Sequence, residues 1–125
     1  TGYRLNQLKY RTLKLRNIFT HKQVVDASDY SDITQDIKFF PSCSPNWDHT
    51  PRSGTKGQVI VETTPELFHK NLLNCYKRIK NYKNEEKIIF IKAWNEWAEG
   101  NYLEPDLKFG HQWLHAVKEI KDECF

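Results

Sequence analysis

The chain has 125 residues, about one domain, with 38% hydrophobic, 14% aromatic and 28% charged residues. That aromatic content can bury a core, so the composition excludes a collagen-like, low-complexity or wholly disordered chain. No apolar run approaches the roughly 20 residues of a membrane-spanning helix, and no signal-peptide segment is found at the start, so we expect no transmembrane segment.

The three cysteines give no sign of a disulfide framework or a metal site. Cys43, Cys75 and Cys124 are odd in number and form no CxxC pair. His111 and His115 stand four residues apart but lack the Glu of an HExxH site. We therefore expect reduced thiols in a cytoplasmic protein, no bound metal and no cofactor.

The net charge of +3 is concentrated at the start of the chain. Residues 1–25 carry six basic side chains and no acidic one, whereas the remaining residues carry 13 basic and 16 acidic groups. A basic arm can bind nucleic acid, but a solvated helix or strand face explains the pattern better because no nucleic-acid-binding motif accompanies it. We expect no nucleic-acid partner, and residues 1–25 remain a basic segment of undefined structure.

The first half of the chain predicts short elements around a long loop. Tyr3–Phe19 is expected to be partly helical, Lys22–Val25 a short strand and Asp26–Asp32 a turn. Ile37–Phe40 reads as a strand that Pro41 ends. Residues 41–58, rich in Pro and Gly, then form a long loop, a feature that is usually functional. Gln58–Glu62 is a short extended segment.

The second half predicts a clear helix, a buried strand and a last helix. Thr64 suits an N-cap and Pro65 the first helical position, and the apolar residues that follow share one face: Phe68, Leu72, Cys75, Tyr76 and Ile79. The polar segment Asn81–Glu86 ends this helix. Ile88–Ala93 suits a buried parallel strand. A loop over 94–109 precedes a helix at about Gly110–Asp122, whose inward residues are Trp113, Val117 and Ile120.

The order of strand, loop and helix predicts an α/β fold with a parallel sheet. The strands near 37–40 and 88–93 should be parallel, with both long loops at the carboxyl edge, where α/β proteins build their sites. Two or three such units cannot close an eight-stranded barrel, and the chain lacks methionine. We therefore expect residues 1–125 to be the C-terminal portion of one larger α/β domain, with the remainder missing.

The segment Ala93–Asp106 holds the residues with the most chemistry. It contains two Trp, one Tyr and four carboxylates directly after the apolar strand. Aromatic rings beside carboxylates and amides suit a sugar, and glycosyl transfer needs one proton donor and one base or nucleophile. Glu96 and Glu99, three residues apart, can provide these two groups. The alternative is that Trp94 and Trp97 are core residues and the carboxylates are structural, and the pattern alone fits both interpretations.

Two segments resemble a known family. Trp94–Gly100, continued by Tyr102–Asp106 and Gly110, resembles the signature of WbsX-type polysaccharide-biosynthesis glycosyltransferases, which are related to glycoside hydrolase family 99. Pro45–Arg52 resembles a second motif of that family, although His49 replaces an expected Asn. Thr64–Phe68 resembles the helix start between the two motifs. The resemblance extends over about residues 36–116, and we assign residues 36–125 to the WbsX-like part.

This resemblance implies the C-terminal βα units of a (β/α)8 TIM-type barrel, incomplete in this chain. By motif position, Glu96 would be the general base toward a sugar hydroxyl and Glu99 the acid/base at the glycosidic oxygen. The expected sugar-binding residues lie in the same two motifs: Trp47, Asp48, Arg52, Trp94, Asn95, Trp97, Tyr102 and Glu104.

Three functions are compatible with the sequence. The first is a glycosyltransferase or glycoside hydrolase of bacterial surface polysaccharide with a carbohydrate substrate, the fragment alone being inactive. The second is a non-catalytic carbohydrate-binding or assembly protein, and the third a basic nucleic-acid-binding fragment. Retention of both Glu96 and Glu99 favours an enzyme, because binding alone needs neither an acid nor a base.

Overall fold

The computed structural model describes residues 17–30 and 37–125, which form a mixed arrangement of short strands and four α-helices. The strands are β1 (Asn17–Thr20), β2 (Ser42–Cys43), β3 (Trp47–Asp48), β4 (Gln58–Val61), β5 (Phe90–Ile91), β6 (Asn95–Glu96) and β7 (Asn101–Tyr102). The helices are α1 (His21–Ala27), α2 (Thr50–Ser53), α3 (Pro65–Ile79) and α4 (Gln112–Cys124). Short 3₁₀ turns lie at Gly54–Lys56, Asn84–Glu86 and Trp97–Glu99.

The strands form three small sheets within the described residues. The first has the order β1–β4–β3, in which β1 is parallel to β4 and β3 is antiparallel to it. The second is the parallel pair of β2 and β5, and the third is the antiparallel hairpin of β6 and β7. The predicted α/β class is therefore confirmed at this level. The two parallel pairs bear out the expectation of parallel strands.

The predicted strand at Ile37–Phe40 is wrong in position. The hydrogen bonds between β2 and β5 start after Phe40, at Pro41. Phe90 N donates to Pro41 O (3.0 Å), and Lys92 N donates to Cys43 O (3.0 Å). Proline lacks only the amide donor, so Pro41 can still contribute a carbonyl acceptor to the ladder. Pro41 therefore leads into a strand here instead of ending one.

The predicted strand Lys22–Val25 is also wrong, because these residues belong to α1. Thr20 caps this helix: its side chain accepts a hydrogen bond from Gln23 N, and the Gln23 side chain accepts one from Thr20 N. This capping box satisfies two amide donors and favours a helix from His21 onward. The extended segment lies just before it, at Asn17–Thr20, which includes the last residues of the predicted helix Tyr3–Phe19. The rest of that helix prediction lies outside the described residues.

The buried character predicted for Ile88–Ala93 is only partly correct. Ile89 and Ile91 pack on the core, but Ile88 is 43% and Phe90 59% exposed. Alternate side chains of an extended segment point to opposite faces, and here one face packs while the other is open. The loop predicted over 41–58 likewise contains β2, β3 and α2.

The core lies between α3 and α4, each of which was predicted to have an apolar face. Thr64 caps α3 through Leu67 N (3.3 Å), and Pro65 is its first residue. Phe68 and Trp113 are fully buried and meet edge-to-face at 5.8 Å between ring centroids. Val117 is partly buried against the same cluster. The core residues are Cys43, Phe68, Leu72, Cys75, Leu103, Trp113, Ala116 and Ile120. This packing fixes the strand ends from which both motif segments emerge.

Candidate functional site

Glu99 is the centre of a charged cluster between the two motif segments. Its side chain is only 7% exposed, and its Oε1 lies 2.8 Å from Arg52 Nε and 3.0 Å from His49 Nδ1. The Lys92 ammonium lies 3.8 Å from its other oxygen, Oε2. A buried carboxylate requires such compensation, because removing a charge from water without partners is costly.

Arg52 joins the two carboxylates that the sequence singled out. Its Nε contacts Glu99, and its Nη2 lies 3.4 Å from Glu96 Oε1. Because one guanidinium touches both side chains, it holds the two carboxylates beside each other. Arg52, one of the expected sugar-binding residues, therefore lies against both Glu96 and Glu99.

Asp48 instead shapes the segment that carries Arg52. Its Oδ1 accepts hydrogen bonds from Thr50 N (2.9 Å) and Thr50 Oγ1 (2.6 Å), which starts the short helix α2. Asp48 also lies beside the hairpin: a Cβ added at Gly100 would be 3.8 Å from the Asp48 Cβ. Asp48 is thus part of the same neighbourhood, and in this structure its carboxylate serves the local turn.

The β6–β7 hairpin positions both glutamates. Glu96 on β6 pairs with Asn101 on β7, and the 3₁₀ turn between the strands places Glu99 on the buried side. Gly100 closes this turn at a φ of 56°, in the left-handed region that favours glycine. Asn95, the other residue of β6, is exposed.

Trp97, Tyr102 and Glu104 form a second group on the hairpin, named here the aromatic ledge. The rings of Trp97 and Tyr102 stack at 3.7 Å with 12° between their planes. Trp97 Nε1 donates to Glu104 Oε2 (2.6 Å), and Trp97 is 48% exposed. Trp94 is 57% exposed nearby in sequence. These two tryptophans are surface residues in the described structure, so their assignment to the core is wrong.

Trp47 belongs to the charged cluster. The Lys92 ammonium lies 3.9 Å from the centroid of the Trp47 ring, a cation–π contact. The His49 ring also stacks against Trp47, at 5.8 Å between centroids. In this conformation one face of the indole is therefore occupied by Lys92.

Asp106 anchors the end of the second motif to the core. Its carboxylate accepts hydrogen bonds from Phe109 N (2.5 Å), Lys108 N (2.8 Å) and Trp113 Nε1 (3.1 Å). Burial favours a higher pKa for Asp106, but these donors outweigh it and lower the pKa. Burial, reinforced by the nearby Asp106, raises the pKa of Tyr102. These hydrogen bonds of Asp106 therefore fix the segment that follows the β6–β7 hairpin.

Three residues of the site were not selected from the sequence. His49 and Lys92 contact or approach Glu99, and the Asn101 side chain joins the two segments, with Oδ1 accepting from Ala93 N (2.7 Å) and Ser44 Oγ (3.2 Å). His49 stood out in the sequence only as a departure from the expected Asn. No sequence pattern indicated Lys92 or Asn101, since their contacts join residues that are brought together by the fold.

Two further properties bear on the class of site. Over residues 17–30 and 37–125, no group of three or more His, Cys, Asp or Glu side chains is arranged to hold a metal ion. Among the same residues, none of the helices is both long and apolar enough to cross a membrane.

Comparison with known proteins gives a family match. The sequence model of the family described as "Glycosyltransferase WbsX" matches residues 3–117. Two curated relatives, both named "Uncharacterized protein WxcX", come from Xanthomonas campestris pv. campestris, strains B100 and ATCC 33913. Each is 32% identical over 103 residues, covering 75% of this chain but only 15% of the relative. The chain thus spans a small part of the length of these relatives. No solved structure matches the chain.

Proposed function

Because this chain belongs to the WbsX glycosyltransferase family, we propose that its charged cluster acts on glycosidic bonds in bacterial surface polysaccharide metabolism. The observation that carries the proposal is the Arg52 bridge between Glu96 and Glu99. It holds two carboxylates in different surroundings, one nearly buried and one partly exposed, and glycosyl chemistry assigns different tasks to two such groups.

The proposed roles follow the motif positions. Glu99 delivers a proton to the glycosidic oxygen as the bond from the anomeric carbon to the leaving group breaks, while Glu96 takes the proton of the sugar 2-hydroxyl, whose oxygen forms the new bond to the anomeric carbon. Arg52 keeps both side chains oriented, and the buried position of Glu99 limits competing water. If water completes the reaction the product is a free sugar, and if another sugar hydroxyl does so the product is a new glycoside.

The aromatic ledge is the proposed sugar platform. Trp97, Tyr102 and Glu104 combine a flat apolar surface with a carboxylate, as a pyranose with one C–H face and several hydroxyls requires. Trp94 and Asn95 would extend this platform, and Trp47 and Asp48 would border it on the side of the charged cluster. Carbohydrate is therefore the proposed partner.

We also propose that the chain is the C-terminal part of a (β/α)8 barrel domain. The two parallel strand pairs support this proposal, and in the first pair β1 is followed by α1 and β4 by α3. In such barrels the loops after the strands carry the catalytic groups. Glu96, Glu99 and Arg52 all lie in segments of this kind.

Substitution of the two glutamates tests the proposal in the complete protein. Glu96→Gln and Glu99→Gln keep the side-chain shape but cannot exchange a proton, so each should lower turnover by about 10²–10⁴-fold. Turnover is measured as release or transfer of sugar from a panel of oligosaccharides, whose leaving alcohols need protonation by a general acid. Glu123→Gln, an exposed glutamate on α4, is the matched control and should keep wild-type turnover.

The thermal midpoint separates a catalytic from a structural role. Near-wild-type turnover in both Gln variants would refute the assignment. Loss of turnover together with a large drop in the melting temperature would make Glu96 and Glu99 structural carboxylates.

A non-catalytic carbohydrate-binding protein is the second candidate, and the half-exposed aromatic ledge is the observation that favours it. Trp97→Ala should weaken sugar binding measured by calorimetry while costing only about 1 kcal/mol of stability, since much of the ring is already in water. Trp113→Ala, at a fully buried position, should cost about 3–5 kcal/mol. Unchanged sugar binding in Trp97→Ala would remove the ledge from the site. Binding without turnover in the wild type would favour the second candidate.

A further inference from the structure

Because the Glu99 side chain is only 7% exposed, a neighbouring side chain can supply the proton that it donates. Among the described residues, Arg52 and His49 lie within hydrogen-bond distance of Glu99, and Lys92 lies beyond it at 3.8 Å. An arginine side chain stays protonated in proteins and cannot supply the proton. Histidine is the side chain that takes up and releases a proton between about pH 5 and 8.

His49 is held firmly in the position that makes this contact. Its backbone N donates to Gln58 O (3.0 Å), and its carbonyl accepts from Arg52 N (3.2 Å) and Ser53 N (3.1 Å). Gly57 runs so close that an added Cβ would lie 2.7 Å from the His49 carbonyl carbon. The side chain is nevertheless 34% exposed, so the ring touches both the buried carboxylate and the open side of the cluster.

We propose that His49 and Glu99 share one proton, and that this is the proton that Glu99 gives to the glycosidic oxygen. The catalytic part of this inference rests on the proposed function, whereas the pairing of His49 with Glu99 does not. His49 acts through Glu99 and is a positioning residue for the proton.

In one arrangement Nδ1 carries the proton and the pair is imidazolium and carboxylate. Transfer breaks the Nδ1–H bond and forms an O–H bond on Glu99, which leaves a neutral imidazole and a carboxylic acid. Donation to the glycosidic oxygen then breaks that O–H bond and forms one on the leaving group, leaving neutral His49 beside the Glu99 carboxylate. The proton that leaves on the leaving group is returned to the pair by the water or sugar hydroxyl that completes the reaction.

Several charged side chains lie around the His49–Glu99 pair. Glu99 faces the His49 ring directly, while Arg52 and Lys92 approach the carboxylate from other sides and Glu96 contacts Arg52. Trp47 stacks on the His49 ring and carries Lys92 on its own ring. Arg52 and Lys92 compensate Glu99 when it is a carboxylate, and the His49 ring is the neighbour that can exchange a proton with it.

A nuclear magnetic resonance spectrum of isotope-labelled histidine tests the pairing without any substrate. In the Glu99→Gln variant the resonance of His49 Nδ1 should move from its wild-type position, because the carboxylate that shares its proton is gone. The His49→Asn spectrum identifies the signal. An unchanged His49 Nδ1 resonance in Glu99→Gln would overturn the shared proton.

The pH profile of kcat/KM in the complete protein tests the catalytic consequence. His49→Asn keeps an N–H donor for Glu99 but cannot titrate, so the alkaline limb should move down by about one pH unit or more as the carboxyl alone holds the proton. His111→Asn, at an exposed histidine of another element, is the control and should leave the profile unchanged. An unshifted limb in a folded His49→Asn protein would refute the proposal. A wild type inactive at every pH would refute the proposed function, while the His49 Nδ1 resonance would still decide the pairing.

Discussion

At the scale of single residues, His21 is a buried group that the proposed chemistry does not use. It begins α1, is fully buried, and neither ring nitrogen has a hydrogen-bond partner in the described structure. Burial lowers the pKa of His21 from 6.5 to about 4. The folded protein therefore keeps this imidazole neutral over a range in which the unfolded chain protonates it.

The stability of the protein should consequently fall as the pH drops from 6.5 toward 4. In this window the unfolded state binds more protons than the folded state, so the free energy of unfolding decreases with decreasing pH, by up to about 3 kcal/mol. Urea unfolding at several pH values measures this loss, and the His21→Leu variant should lack that part of it. Equal pH dependence in the wild type and His21→Leu would contradict the expectation.

The residues that carry the site were predictable where their chemistry is local. Glu96, Glu99 and the nearby aromatic residues stand within one short segment, which by itself fits a sugar site or a structural role, and the family resemblance favoured the site. His49 and Lys92 were missed because their contacts with Glu99 depend on how three strands end beside one another. A side chain's partner across the fold is set by tertiary geometry, which no local pattern records.

At the scale of elements, the segment from β3 to β4 is fixed by a close backbone crossing. A Cβ at Gly57 would lie 2.7 Å from both the His49 carbonyl carbon and Thr50 N, which are backbone atoms without freedom to move aside. Gly57 thus sets the distance between the start of β4 and the segment that carries His49 and Arg52.

Gly57→Ala should therefore destabilise the protein by about 1–3 kcal/mol, as overpacking does, and move His49 relative to Glu99. Urea unfolding and the resonance of the His49 ring measure the two effects. Gly54→Ala is the comparison, since its Cβ would meet nothing within 4 Å although its φ of 53° adds strain. That variant should cost stability but leave the His49 signal in place. A wild-type His49 signal in Gly57→Ala would contradict this account.

Helix α3 was predicted correctly from the sequence, whereas the strands around it lie at other residues than predicted. The N-cap Thr64, Pro65 and the apolar spacing of α3 are local signals that act within the helix itself. The strand predicted at Ile37–Phe40 is found at Ser42–Cys43. The amides of Phe90 and Lys92 donate to the carbonyls of Pro41 and Cys43, and this pairing sets the position of the strand. Parallel pairing between distant segments depends on the partner strand as much as on the sequence of either strand.

At the scale of the whole molecule, the class of fold followed from the order of elements, but the connections between its small sheets did not. The Asn101 side chain is one such connection. Fully buried on β7, it accepts hydrogen bonds from Ala93 N after β5 and from Ser44 Oγ after β2. It thereby ties the second sheet to the hairpin that carries Glu96 and Glu99.

Removing this connection should loosen the whole site. Asn101→Leu keeps a side chain of similar size but leaves the Ala93 amide unpaired, at a cost of about 1–3 kcal/mol. Ser44→Ala should cost less, because the Ser44 hydroxyl divides its hydrogen bonding between Asn101 and the Asn46 carbonyl (2.8 Å) and removing it leaves the Ala93–Asn101 bond intact. Urea unfolding compares the two variants with the wild type. If both lost the same small amount, Asn101 would be a local packing residue, and the hairpin would owe its position to the Asp106 anchor and the Arg52 bridge instead.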